Sequence, residues 1–258
     1  MLGILLVSRI ILTLVGAEVR ANIFSFTRGK ELPGPVSSFN WLNTWVLWDG
    51  GWYLQIATTW YSASTHFFFA FFPFYPGIIR FFGIIGRHYA LIGVLWSNIM
   101  LMVAAILLWS VFRLEQRVNG IWAVLGLLTF PSAFVLSVMF SDSTYLTLAI
   151  GTYLAVRQQR WWLAAVLGTL LTLTRPVGIL IGLVIVVEFL DSRRWSFRSI
   201  PKSLYLVLAL PAALFGWAWF NKVVTGDWFN FIHVQSHWGR TASNPISTLW
   251  HAVRGVSV

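Results

Sequence analysis

Long apolar runs, separated by short breaks marked by charge, glycine or proline, pattern this 258-residue chain. The runs fall at about 1–19, 89–112, 119–138, 143–156, 161–174, 177–190 and 203–221, and each reads as a membrane-spanning helix. A span takes about 20 mostly apolar residues. Between the first two runs lies a 69-residue connection, 20–88, and a more polar tail follows at 222–258. The pattern predicts an all-α, polytopic transmembrane helical bundle of about seven spans, organised as one membrane domain over 1–258. There is no internal repeat. The first run, Met1 to Val19, has no small-residue cleavage site and reads as a signal anchor.

Three features depart from a simple bundle. The stretch Phe67–Gly86 is apolar enough to span, but Pro73, Pro76 and Arg80 argue against a continuous lipid-facing helix. It reads as a helix lying in the outer interface. The runs 161–174 and 177–190 hold 14 residues each. Helices of that length reach about 21 Å, against a hydrocarbon core of about 30 Å. The turn Thr174-Arg175-Pro176 between them is therefore expected beneath the outer surface. Arg9 stands mid-span with no acid three or four residues on. It reads as snorkelling inward, or as a sign that the natural chain begins upstream.

Composition agrees with a membrane protein and excludes several classes. The chain is 58% hydrophobic and 10% charged, with a mean hydropathy of +0.75. Soluble domains carry about 25% charged residues. Too few charges remain for a polar skin, which excludes a soluble enzyme, a DNA-binding module and a disordered tail. Trp41, Trp45, Trp109, Trp161, Trp162 and Trp195 lie at the ends of apolar runs, as in an interfacial aromatic belt. The net charge of +10 is spread thinly, so it signals topology and not nucleic acid. Arg113, Arg117, Arg157, Arg160, Arg193, Arg194, Arg198 and Lys202 fall in short loops of one parity, against Arg175 alone in the other. The first set is expected to be cytoplasmic, and the 20–88 connection extracytoplasmic. Without cysteine, disulfides and thiolate metal sites are excluded.

Few polar residues remain to carry chemistry. Asp49 sits in Trp48-Asp49-Gly50-Gly51-Trp52-Tyr53, within the connection. Buried between Trp48 and Trp52 it would be desolvated, which suits a proton acceptor. As an N-cap of a helix from Gly50 it would be structural. Asp142, in Phe140-Ser141-Asp142-Ser143-Thr144, has the same two readings: an N-cap, or a second acid facing the same cavity. Arg175 reads as a phosphate clamp or as a snorkelling cation. His233 and His237 have a metal-ligand spacing but no third ligand nearby, so a polar, aromatic-rich substrate loop is the preferred reading.

Five segments together resemble the PIG-V-type mannosyltransferases, of the GT-C class of membrane glycosyltransferases. They are Trp48–Tyr53 (WDGGWY), Phe71–Gly83 (FFPFYPGIIRFFG), Phe130–Ser143 (FPSAFVLSVMFSDS), Arg160–Gly178 (RWWLAAVLGTLLTLTRPVG) and His233–Arg240 (HVQSHWGR). The resemblance implies a GT-C-like fold with interfacial helices in a long first extracytoplasmic loop. It also implies a lipid-phosphate sugar donor and a catalytic aspartate matching Asp49. Trp48, Trp52, Tyr53, Asp142, Arg175, His237 and Arg240 are the expected substrate-binding residues. Chains of that family usually continue through further spans, so a C-terminally incomplete domain is expected here.

The expected function is transfer of a sugar, mannose by the resemblance, from a lipid-phosphate donor to a hydroxyl of a lipid or glycan acceptor. Transfer would occur on the extracytoplasmic or lumenal side, with inversion. No cofactor and no metal site are assigned, and divalent-metal dependence is left open. The partners are the donor, the acceptor and the bilayer, with no nucleic acid. The membrane is the plasma membrane in a prokaryote or the endoplasmic reticulum in a eukaryote. The rival classes are a transporter or flippase of lipid-linked substrates, and an inactive membrane subunit. Acids at the outer ends of spans, not at the midplane on broken helices, favour the enzyme.

Overall fold

The computed structural model describes residues 2–22, 40–115, 120–130, 132–195, 202–239, 250 and 254. Among them there is no strand. The α-helices are α1 (Leu2–Asn22), α2 (Asn40–Asn43), α3 (Asp49–Thr59), α4 (Phe74–Gly86), α5 (Tyr89–Leu114), α6 (Gly120–Thr129), α7 (Asp142–Arg157), α8 (Trp161–Thr174), α9 (Ile181–Ser192), α10 (Ala209–Thr225) and α11 (Asn230–His233). Tight 3₁₀ segments lie at Ala63–Ala70, Ala133–Leu136, Pro176–Leu180, Lys202–Leu208 and Val234–Trp238.

Two helices, Tyr89–Leu114 and Leu204–Thr225, are long and apolar enough to cross a membrane; the broken pair Ala63–Ala70 and Phe74–Gly86 makes up to three if it is one span. The first apolar run forms the 21-residue α1, which carries Arg9, Glu18 and Arg20, and other runs form shorter helices. α6, α8 and α9 have 10, 14 and 12 residues. At 1.5 Å per residue none reaches about 30 Å. The predicted run 119–138 is interrupted after Thr129, and only Ala133–Leu136 resumes as a 3₁₀ turn. The single interfacial helix expected over Phe67–Gly86 is likewise two elements, broken ahead of Pro73, whose ring lacks the N–H of a continuing helix.

The chain divides into two compact units, residues 1–60 with 71–217, and residues 61–70 with 218–258. In the first, α5 packs on α7 through small side chains. α7 buries Ser143, Thr144, Thr147, Gly151, Thr152 and Ala155, spaced to give one narrow stripe. α5 buries Ala90, Gly93, Ser97 and Ala104 along its length, and Ala105 packs with Val124 and Leu128 of α6. Small residues let helix backbones approach where lipid supplies no hydrophobic drive. A Cβ on Gly93 would lie 2.7 Å from Met139 Cγ. Hydrogen bonds cross-link the same surface: Trp96 Nε1 donates to Thr144 Oγ1 at 3.0 Å, Asn98 Nδ2 to the Ser137 carbonyl at 3.0 Å, and Thr147 Oγ1 to the Met100 carbonyl at 2.6 Å. α7, α8 and α9 share a second core of Ala155, Val156, Trp161, Ala164, Ile185 and Phe189. At the basic ends of these helices Arg157 pairs with Glu115 at 2.8 Å and, more closely, with Glu188.

Two expectations need correction, and Arg80 gains a role. Trp45 and Trp161 are not belt residues: they are 6% and 8% exposed and belong to the core, whereas Trp41, Trp109, Trp162 and Trp195 are exposed. Arg9 does not snorkel. It is buried, and its guanidinium nitrogens have no hydrogen-bond partner among the described residues. Arg80 is a cap: its Nη1 donates to the carbonyls of Ala57 and Thr58 at 3.0 and 2.9 Å, and the guanidinium lies 5.5 Å from the Trp60 ring. α3 thereby has its last carbonyls satisfied from α4, where a cation also meets the negative end of the helix dipole.

Candidate active site

The segment WDGGWY makes a turn and then a helix. Gly50 N–H donates to the Leu47 carbonyl at 2.8 Å, closing a turn with Trp48 in its first central position at φ +44°, ψ −117°. That conformation favours glycine. A tryptophan held there stores strain of about 1–3 kcal/mol, of the kind that gathers at functional sites. Asp49 is the first residue of α3, where a carboxylate meets the positive end of the helix dipole. The two glycines serve different ends. Gly50 is buried, and a Cβ there would lie 3.3 Å from the Met139 carbonyl oxygen; at Gly51 a Cβ would meet nothing.

The burial expected for Asp49 is not found. Asp49 is exposed, Trp48 is 63% exposed and Trp52 is half-buried. Trp48 leans on Phe134, with ring centroids 6.1 Å apart, and does not close over the carboxylate. Nor does Asp49 cap a helix from Gly50, since it is itself helical and Trp48 holds the cap position.

One turn of α3 further, Tyr53 is buried, with the rings of Phe71 and Tyr75 edge-on at 5.0 and 4.8 Å. Its hydroxyl donates to Ser141 Oγ at 2.8 Å. Burial pushes the phenol up to about 12; Asp49 and Asp142 add to the rise, while the Ser141 bond and the Arg175 charge oppose it. The phenol therefore stays protonated and keeps donating.

Ser141 joins the two halves of the cluster. It precedes Asp142, the first residue of α7, and its Oγ also accepts from Arg175 Nε at 3.2 Å. Arg175 Nη2 lies 2.6 Å from Asp142 Oδ2, and the guanidinium lies 5.8 Å from the Tyr145 ring. Arg175 reaches this point because α8 ends at Thr174 and Arg175 is extended, at φ −152°, ψ 143°. Pro176 then starts the Pro176–Leu180 turn, at a position where its missing N–H matters least. Gly178 permits the fold-back, for a Cβ there would lie 2.5 Å from the Leu171 carbonyl oxygen.

Tyr53, Ser141, Asp142 and Arg175 thus form one bonded polar cluster, and Asp49, one turn of α3 before Tyr53, adds its charge to it, with Trp48 and Trp52 at the same helix end. Ser141, its hub, was not singled out in the sequence, although it directly precedes Asp142. His237 belongs to the second unit, where its ring stacks on Phe67 at 5.8 Å and 17°. Arg240 lies outside the described residues. Among the described residues no three or more His, Cys, Asp or Glu side chains form a metal-holding group.

The polar cluster defines a candidate site within an all-helical chain that has two helices able to span a membrane. The chain matches no family model, no curated protein and no solved structure.

Proposed function

We propose that the protein is a membrane glycosyltransferase that moves a sugar, mannose in the first instance, from a lipid-phosphate donor to an acceptor hydroxyl, with inversion. The observation that carries this reading is the bonded set Tyr53, Ser141, Asp142 and Arg175, with Asp49 one helical turn before Tyr53, in a chain otherwise poor in charge. The strained turn at Trp48 and the resemblance in WDGGWY point the same way.

In this reading Asp49 takes the proton from the acceptor hydroxyl. The hydroxyl oxygen forms a bond to the anomeric carbon from the face opposite the leaving group. The bond from that carbon to the phosphate oxygen breaks, and its electron pair leaves with the lipid phosphate. An exposed carboxylate suits this role, because a hydroxyl must reach it. A positioned base contributes about 10²–10⁴-fold. Asp49 and Asp142 have different parts. Asp142 is engaged by Arg175 and holds it; Asp49, exposed at the start of α3, is the base toward the acceptor. Arg175 is 42% exposed even so, and its charge is open to a phosphate oxygen.

Multi-pass insertion, with Asp49 on the extracytoplasmic side, belongs to the same proposal and rests on the loop-charge asymmetry. Purified protein in nanodiscs, supplied with polyprenyl-phosphate mannose and a panel of lipid and glycan acceptors, tests it. A mannosylated product of inverted configuration is the expected outcome. Sugar transfer no faster than in empty nanodiscs across the panel contradicts it.

A further inference from the structure

The second compact unit holds a cleft of its own, of about 390 Å³, lined by His66, Phe67, Asn230, His233, Ser236 and His237 among others. Sites for small molecules start at about 300 Å³. Two distant stretches of chain build it. Asn230 Nδ2 donates to the His66 carbonyl at 2.9 Å, which ties the start of α11 to the segment Ala63–Ala70. Phe67 and His237 stack, and His66 meets Phe67 edge-on at 5.7 Å. The wall is therefore an aromatic surface and not a set of loose side chains.

The polar groups are fixed as well. Asp227 Oδ2 lies 2.6 Å from His233 Nδ1, and Asp227 Oδ1 accepts the Phe229 N–H at 2.9 Å. An ionised carboxylate offers only lone pairs, so Nδ1 carries the hydrogen in this contact and Nε2 remains as the ring's second hydrogen-bonding atom. The Ser236 hydroxyl donates to the His233 carbonyl at 2.8 Å, which leaves its oxygen lone pairs to accept. Neither Lys nor Arg, and neither Asp nor Glu, lines the cleft among the described residues.

Flat rings beside a fixed hydroxyl and imidazole, with no Lys, Arg, Asp or Glu in the lining among the described residues, suit an uncharged polyhydroxylated ring. The C–H face of a pyranose covers an aromatic surface while its hydroxyls, which both donate and accept, bond the imidazole nitrogen and the serine oxygen. We propose that this cleft binds a neutral hexopyranose. The assignment stands apart from the glycosyltransferase reading.

Saturation-transfer NMR on the full chain in nanodiscs, with methyl α-D-mannopyranoside as probe, tests the proposal. Transfer to the pyranose protons is expected. His237→Ala should weaken binding by about tenfold and His237→Phe, which keeps a ring against Phe67, should restore it, with melting temperatures recorded for both. Inorganic phosphate should not displace the probe. No saturation transfer, an equal response in His237→Ala at unchanged melting temperature, or displacement by phosphate would each overturn the sugar site. Sugar binding without any mannosyl transfer would sink the transferase reading and leave the cleft assignment standing.

Discussion

Arg175 and Asp142 stand 33 residues apart in sequence and 2.6 Å apart in space, the one ending α8 and the other opening α7. Ser141 adds a second contact to the same guanidinium at 3.2 Å. Losing either partner leaves a polar group half-buried and unpaired. Arg175→Ala and Asp142→Asn should each lower stability by about 1 kcal/mol, the upper end for a partly exposed pair. For a chain of this size that is a fall of about 2–4 °C in melting temperature. Arg175→Ala should also slow transfer, since it removes the cation that faces the donor's phosphate; Arg175→Lys should retain part of it. Equal transfer rates in wild type and Arg175→Ala would confine Arg175 to a structural role.

The cap on α3 predicts a local effect. Arg80→Gln shortens the reach to the Ala57 and Thr58 carbonyls and removes the charge. Amides near the end of α3 should exchange faster by about tenfold, for a loss of about 1–2 kcal/mol in two charge-assisted hydrogen bonds. Amides in α8 should be unaffected. Uniform acceleration in both helices would show global destabilisation, and none would show that α3 does not depend on Arg80.

Gly178 predicts a steric effect. A methyl group there meets the Leu171 carbonyl oxygen at 2.5 Å, a backbone atom that no side-chain rotation can move aside. Gly178→Ala should destabilise by about 1–3 kcal/mol. It should also displace Arg175, three residues earlier, and so lower transfer together with the melting temperature. A variant as stable and active as wild type would mean the turn is looser than the contact implies.

The Asp227–His233 pair predicts a pH dependence. The Phe229 N–H holds the Asp227 carboxyl below its ordinary value of 3.8; burial opposes it, and His233 and the Lys222 charge add to the lowering. A depressed carboxyl stabilises the fold above the unfolded value and ceases to do so as pH falls through the folded one. Wild type should therefore melt higher than Asp227→Ala at pH 5–7, and the gap should close below about pH 4. A gap that persists to pH 2 would contradict the assignment.

Much of the fold was legible because helix ends are written in punctuation. The run expected at 161–174 is α8 to the residue, bounded by Arg160 and by Arg175-Pro176. The run at 89–112 is α5, Tyr89–Leu114, and that at 143–156 is α7, Asp142–Arg157. Apolarity alone does not say which face of a helix is covered, so Trp161 and Trp45 looked like belt residues. Partner choice is a property of the folded state. The sequence left Arg175 between a phosphate clamp and a snorkelling cation, and the packing of α7 against α8 brings it to Asp142. The aromatic neighbours of Asp49 in sequence are not its cover in space, and the residue is exposed. The turn at Trp48 instead sends that ring toward Phe134. Asp227 and His233 are six residues apart across an irregular stretch and give no periodic signal.

The central claim is that the Asp49 carboxylate accepts the proton of the acceptor hydroxyl. Mannosyl transfer from a polyprenyl-phosphate donor by Asp49→Asn, in nanodiscs, tests it most directly. Asparagine keeps the side-chain shape at the start of α3 and removes the basic oxygen. The expected result is a fall of at least about 10²-fold in turnover with an unchanged melting temperature. Turnover close to wild type in a folded Asp49→Asn protein would contradict the account.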